Sequence, residues 1–187
     1  MMWLKNKIIL SALAVLLSQI CFSQNKDSDF YFNEYFSSLV KKVGLNIEID
    51  SLKGYVLSNQ NQLFGNEWDL VLTHAGEQNI VYVKYHPNSN HPPIHFSHLV
   101  TNVMENTESN STAFYTLDPI FIATVLHANW ANDARFKPKE YENHTAYARS
   151  FYNETRQDQI TILLIGKDIP YLSTPKEIQA FKFQPVE

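Results

Sequence analysis

The only cysteine of the chain, Cys21, falls inside a segment that reads as a secretory signal peptide. Lys5 and Lys7 form its positive start, and Ile8 to Leu17 (IILSALAVLL) form its apolar run. Cys21-Phe22-Ser23 places small side chains at the −3 and −1 positions of a cleavage point before Gln24. Cleavage there leaves residues 24–187 without a thiol. Whatever they fold into must then hold by packing alone, even in a compartment that permits disulfides. The apolar run is shorter than the ~20 residues that span a bilayer, so no stable membrane insertion is expected after cleavage. Lipid attachment at Cys21 is the rival reading, but Ile20 is large where a small residue is needed. The expected location is therefore exported, periplasmic or secreted, and the lack of cysteine suits a bacterial periplasm.

Without Lys5 and Lys7, 13 basic residues stand against 19 acidic ones, a formal charge of −6. No basic cluster interrupts this balance. Nucleic acid is thus excluded as an expected partner, because phosphate binding depends on grouped Lys and Arg.

Residues 24–187 show no internal repeat and no long linker, and they suffice for one globular domain. Phe32, Phe36, Leu39, Val40 and Val43 recur at helical spacing, so a helix is expected over 29–43, closed by Gly44. Leu45 to Asp50 alternates as a strand, and Gly54 to Leu57 reads as its continuation after a turn. Trp68 to His74 and Asn79 to Tyr85, joined by Ala75-Gly76-Glu77-Gln78, form a hairpin pattern. Three helices are expected next: 94–105; 117–130, with Asp118 as N-cap and Pro119 behind it; and 139–152. The 117–130 run is apolar nearly all round and reads as a buried central helix. Strands are expected at 159–165 and 178–183. The blocks of strands and helices indicate an α+β fold, a mostly antiparallel sheet with helices packed on one face.

The chemistry that can be excluded is broad. Five scattered glycines give no phosphate-cradling loop and no dinucleotide fingerprint. There is no G-x-S-x-G elbow, and no thiolate nucleophile or metal site survives cleavage.

Four histidines crowd one stretch: His86, His91, His95 and His98. A three-histidine metal site on His91, His95 and His98, with zinc as the fitting ion, is the sharp reading. Against it, Pro92 stands where H-E-x-x-H has its glutamate, and Pro92-Pro93 prevents His91 and His95 from sharing a helix. No cofactor is therefore expected. His127 reads as a buried histidine bonded to a backbone carbonyl or an Asn side chain rather than a general base. Trp130, Arg135 and Phe136 combine residue types that anchor interfaces and form the candidate partner-binding surface.

Together these features describe an exported, non-enzymatic binding protein with another protein as partner, for instance a periplasmic immunity-type protein. The alternatives are a metal-dependent hydrolase built on the histidines, and a small-ligand carrier.

Overall fold

In the computed structural model the described residues are 34, 37, 38, 41, 43–58, 61–63, 65–104, 112–139, 141–170 and 172–185. The chain divides into Met1–Ser37 and Ser38–Glu187, and the fold below is that of the second unit. The signal peptide read at 1–23, and most of the helix read at 29–43, lie outside the described residues. Gly44 adopts φ 59, the left-handed conformation expected just past a helix end.

The elements run β1 (Leu45–Ile47), a 3-10 turn at Ile49–Leu52, β2 (Tyr55–Leu57), β3 (Gln62–Leu63), β4 (Asn66–Glu67), β5 (Leu70–His74) and β6 (Ile80–His86). Then come α1 (Pro92–Val103), β7 (Ala113–Thr116), α2 (Pro119–Thr124), β8 (Trp130–Phe136), β9 (Thr145–Asn153), β10 (Asp158–Gly166), α3 (Lys176–Gln179) and β11 (Phe181–Phe183). Seven strands form one antiparallel sheet in the order β2-β5-β6-β10-β9-β8-β7. β5 and β6 are the hairpin expected from sequence, and His74 fastens its turn by accepting the Gly76 and Glu77 amides at Nδ1 (3.2 and 2.9 Å). β7 to β10 form a meander that returns β10 to the side of β6.

β10 is buried from Gln159 to Gly166, which explains its unbroken β-branched run. One sheet face carries Val71, Tyr82, Ala134, Ala146, Ala148, Leu163 and Ile165, and α1 packs Phe96, Leu99, Val100 and Val103 against it. The alanines keep the sheet surface low where the helix crosses. On the opposite face, Phe151 meets Phe183 of β11 edge-on at 5.0 Å, and Phe121 of α2 lies over Arg149 at 5.6 Å. Ile178 of α3 is fully buried. The helices therefore cover both faces rather than one. The reason is compositional: one-sided cover would leave Ile160, Ile162 and Leu164 in water.

Two expected helices are mostly strand. Asp118 does cap α2, its Oδ1 accepting the Ile120 and Phe121 amides (2.8 and 3.1 Å), with Pro119 at the first position. The helix ends at Thr124, however, and His127 turns the chain with φ 51. Residues 130–136 then extend as β8. The expected helix over 139–152 gives way to β9. Both stretches are buried on two sides because the sheet is covered twice, and Ala131, Ala134, Ala146 and Ala148 suit a helix as well as a strand. The last strand is shorter than 178–183, because α3 occupies its first residues. No helix among the described residues is long and apolar enough to cross a membrane.

Asp133 and Arg149 are direct cross-strand neighbours. Both are 1% exposed, and Arg149 grips the carboxylate twice, from Nε and Nη2, at 2.7 Å each. The Tyr147 hydroxyl also donates to Asp133. Burial opposes the guanidinium charge, but the bonds and charge of Asp133 overcome it and hold Arg149 above its ordinary range. Burial, then the Asp133 charge, pushes Tyr147 up to about 12. Asp133→Ala strands the arginine in the interior and is expected to lower stability by about 3–5 kcal/mol in urea unfolding. Asp133→Leu with Arg149→Met should recover most of that loss. A double variant as unstable as the single one would show that the pair itself, not the orphaned charge, is what matters.

Candidate functional site

Below α1, at the end where the helix begins, the sheet face turns polar. Gln159 lies beside His86 and Thr161 beside Lys84 across the β6–β10 register, while Ser150 faces Thr161 from β9. A cavity of about 160 Å³ opens here, lined by Asn66, Trp68, Lys84, His86, His95, His98, Leu99 and Asn102. The local sequence builds it from two periods. Lys84 and His86 alternate onto one face of β6, and His95, His98, Leu99 and Asn102 follow the three-and-four spacing of α1.

His95 is held by a buried network. Ser89, 2% exposed, donates from Oγ to Gln159 Oε1 at 2.7 Å. Its oxygen therefore accepts from His95 Nδ1, 3.0 Å away, which also lies 3.3 Å from Gln159 Oε1. Gln159 is fixed in turn by donating to Pro92 O (3.0 Å) and Ser150 Oγ (2.8 Å). His86 stacks on His95 at 5.6 Å and 27°. Burial, then the charges of His95 and Lys84, lower His86 to about 4, so it is neutral at ordinary pH. Lys84 is steadied by Asp69 at 3.6 Å, and Asp69 accepts the Tyr85 amide at 2.8 Å.

Two lining residues hold buried ring nitrogens without a hydrogen-bond partner among the described residues, Trp68 Nε1 and His86 Nε2. Arg149 Nη1 and Arg156 Nε, away from this cavity, are likewise buried without a partner among the described residues. A wider depression of about 430 Å³ lies along Lys137–Thr145, but no such orphan belongs to it.

The structure brings His95 and His98 to this cavity together with His86. It leaves His91 outside, exposed, as the N-cap residue of α1. Pro92 and Pro93 fill the first helical turn, where their missing amides cost nothing, and this separates His91 from the others. Among the described residues no group of three or more His, Cys, Asp or Glu is placed to hold a metal ion. Trp130, Arg135 and Phe136 do not share a surface either. Strand alternation puts Trp130 and Phe136 on the α1 face and Arg135 on the other. Phe136 is 3% exposed, and Arg135 lies over the Tyr147 ring and donates to Pro170 O. Trp130 is half-buried, edge-on to Phe96 at 6.2 Å. His127 is half-buried, and its carbonyl accepts from Asn153 Nδ2 at 2.8 Å. Sequence reasoning missed Trp68, Lys84, Asn66 and Asn102. The alternation of Tyr82, Lys84 and His86 was the one usable signal. No family model and no curated protein matches the chain.

The lowered His86 has a consequence for stability. Its ordinary value of 6.5 applies when the chain is unfolded, so between pH 6.5 and about 4 the unfolded chain binds the extra proton. Stability is complete above that window and falls as pH drops through it, by at most about 3 kcal/mol. Urea unfolding of the wild type and His86→Phe across this range should give a flatter profile for the variant. Parallel profiles would remove His86 as the cause.

Proposed function

We propose that the chain is an exported, non-enzymatic binding protein whose ligand is a small molecule seated in the cavity beneath α1. The observation that carries this reading is the cavity of about 160 Å³ between β6 and α1, whose lining combines Trp68, Lys84, His86, His95 and His98. The surrounding architecture supports it. The cavity floor is β-sheet and its wall is about two turns of helix, so its groups are fixed before a ligand arrives. The small volume favours a small ligand over a large cofactor. Export rests on the composition of residues 1–23.

A protein partner is the second reading, favoured by a different feature. Phe114 and Tyr115 on the outermost strand β7 are 52% and 43% exposed, and Ile120 nearby is 72% exposed. An extended segment could pair with such an edge.

Native mass spectrometry of the protein isolated from its own cells separates these readings. The ligand reading expects an added small-molecule mass that disappears on denaturation and is absent from Trp68→Ala. A co-purified polypeptide at stoichiometric ratio, with no small mass, would move the assignment to the β7 edge. A bare chain whose Trp68 indole N–H resonance ignores small-molecule extract of the same cells would sink the cavity reading.

A further inference from the structure

The seven-stranded sheet ends in two unlike edges. At the β2 edge Tyr55 is buried, its hydroxyl 3.2 Å from Glu177 Oε1, and Val56 and Leu57 are half-buried. At the β7 edge Phe114, Tyr115 and Thr116 are exposed. Seven large apolar side chains are exposed among the described residues, and Phe114, Tyr115, Ile120 and Val125 are four of them, in one stretch that begins on β7. We infer that this edge is an interface with a second copy of the chain. β7 pairs antiparallel with β7 of that copy about a two-fold axis at Phe114, joining the two sheets into one.

The edge is open for pairing. Sheet edges are ordinarily blunted by lysine, proline or a bulge. Residues 112–117 (TAFYTL) hold no charge and no proline. β7 runs residue for residue along β8, from Ala113 opposite Arg135 to Thr116 opposite Asn132, so no bulge turns it away. Its outward amides and carbonyls therefore lie along a regular strand.

Self-complementarity identifies the occupant. A two-fold contact brings each group close to its own copy, so a charged edge would face like charge. The chain has a formal charge of −4, yet none of it lies on this strand. Centred on Phe114, the pairing sets Phe114 against Phe114, Ala113 against Tyr115 and Thr112 against Thr116. Aromatic pairs and threonine pairs both stabilise neighbouring strands, and the small Ala113 leaves room for Tyr115. Phe114 stands on the α1 face, edge-on to Phe96 at 6.1 Å, and an axis normal to the sheet keeps the partner's Phe114 on that same face. A foreign flexible segment must first be ordered, whereas β7 of a second copy is already held extended by β8. The area sets the strength. Phe114 and Tyr115 are about half exposed, so the two strands cover on the order of 200 Å² of aromatic surface on each copy. With Ile120 and Val125 included, the total stays under the ~1,200 Å² at which stable complexes begin. The dimer is therefore weak, with half-association near ~100 μM.

Sedimentation equilibrium of the purified protein from about 5 μM to about 1 mM should show monomer passing to dimer. Phe114→Lys should remain monomeric throughout, with the urea unfolding curve of the dilute wild type. Tyr115→Lys, on the other face of the strand, should do the same. Single cysteines read the axis, because the chain expected after cleavage before Gln24 has no other thiol. Under mild oxidation Phe114→Cys should give a covalent dimer, since directly opposed Cα atoms lie within disulfide reach. Thr116→Cys should not, its own copy being about 14 Å away along the strands. A monomer at every concentration, or a dimer that both lysine variants leave intact, overturns the interface. Cross-linking through Thr116→Cys but not Phe114→Cys overturns the axis, and open-ended oligomers overturn the two-fold. A foreign polypeptide that co-purifies with the wild type but not with Phe114→Lys overturns the second copy as occupant. The cavity does not enter this test: a small bound mass on a strict monomer overturns the dimer alone.

Discussion

The double burial of β10 is the constraint on which the fold depends. A strand apolar on both faces, in the middle of a seven-stranded sheet, must be roofed twice. α1 supplies one roof with Phe96, Leu99, Val100 and Val103. The other is assembled from smaller parts: α2, α3, and the β1–β11 ribbon with Phe183 on Phe151. Without a disulfide in the described unit, this layering supplies the cohesion. It also accounts for the small helices. They are lids over Ile160, Ile162 and Leu164 rather than independent units, since helices of four to six residues have little stability of their own.

Each face then accepts one polar insertion, and the two are handled differently. On the α2 side, Asp133, Arg149 and Tyr147 bond one another, with Thr174 beside them and Arg149 Nη1 buried without a partner among the described residues. On the α1 side, Thr161, Ser150, Gln159, Ser89 and His95 form a chain that ends at an open cavity instead of closing. That difference is what distinguishes a structural polar cluster from a candidate site. Two adjacent stripes of α1 divide the work: His95, His98 and Asn102 line the cavity, and Phe96, Val100 and Val103 enter the core.

How much of this was legible in the sequence follows from the same layering. The β5–β6 hairpin, α1, β10 and the Asp118 cap were readable because each carries a local signal: alternation around a turn, a clean helical stripe, a β-branched run, an N-cap followed by proline. β8 and β9 were not readable. Ala131, Ala134, Ala146 and Ala148 are at home in a helix, and only the two roofs make them strand residues. The pairing of His95 with His98 was visible in their spacing, and the exclusion of His91 was visible in Pro92-Pro93. Trp68 and Lys84 were invisible as site residues, because only sheet pairing carries β6 and the β4–β5 junction beneath α1. Arg135 and Phe136 misled for the same reason: adjacent in sequence, they point to opposite sides once the segment is a strand.

The order of the strands also bears on how the chain reaches this fold. The seam at the middle of the sheet joins residues 80–86 to 159–165, with α1 and the whole β7–β9 meander threaded between them. The β2-β5-β6 half can form from local contacts, but its inner edge on β6 stays open until β10 arrives. Contacts so distant along the chain are slow to make, because the loop between them must be closed before they contribute. Until then β6 is an unpaired edge with Val81 and Val83 uncovered, the kind of surface that recruits foreign strands. A chain that emerges N-terminus first therefore carries its most association-prone edge from an early stage, and sheds it only when almost the last strand has been delivered.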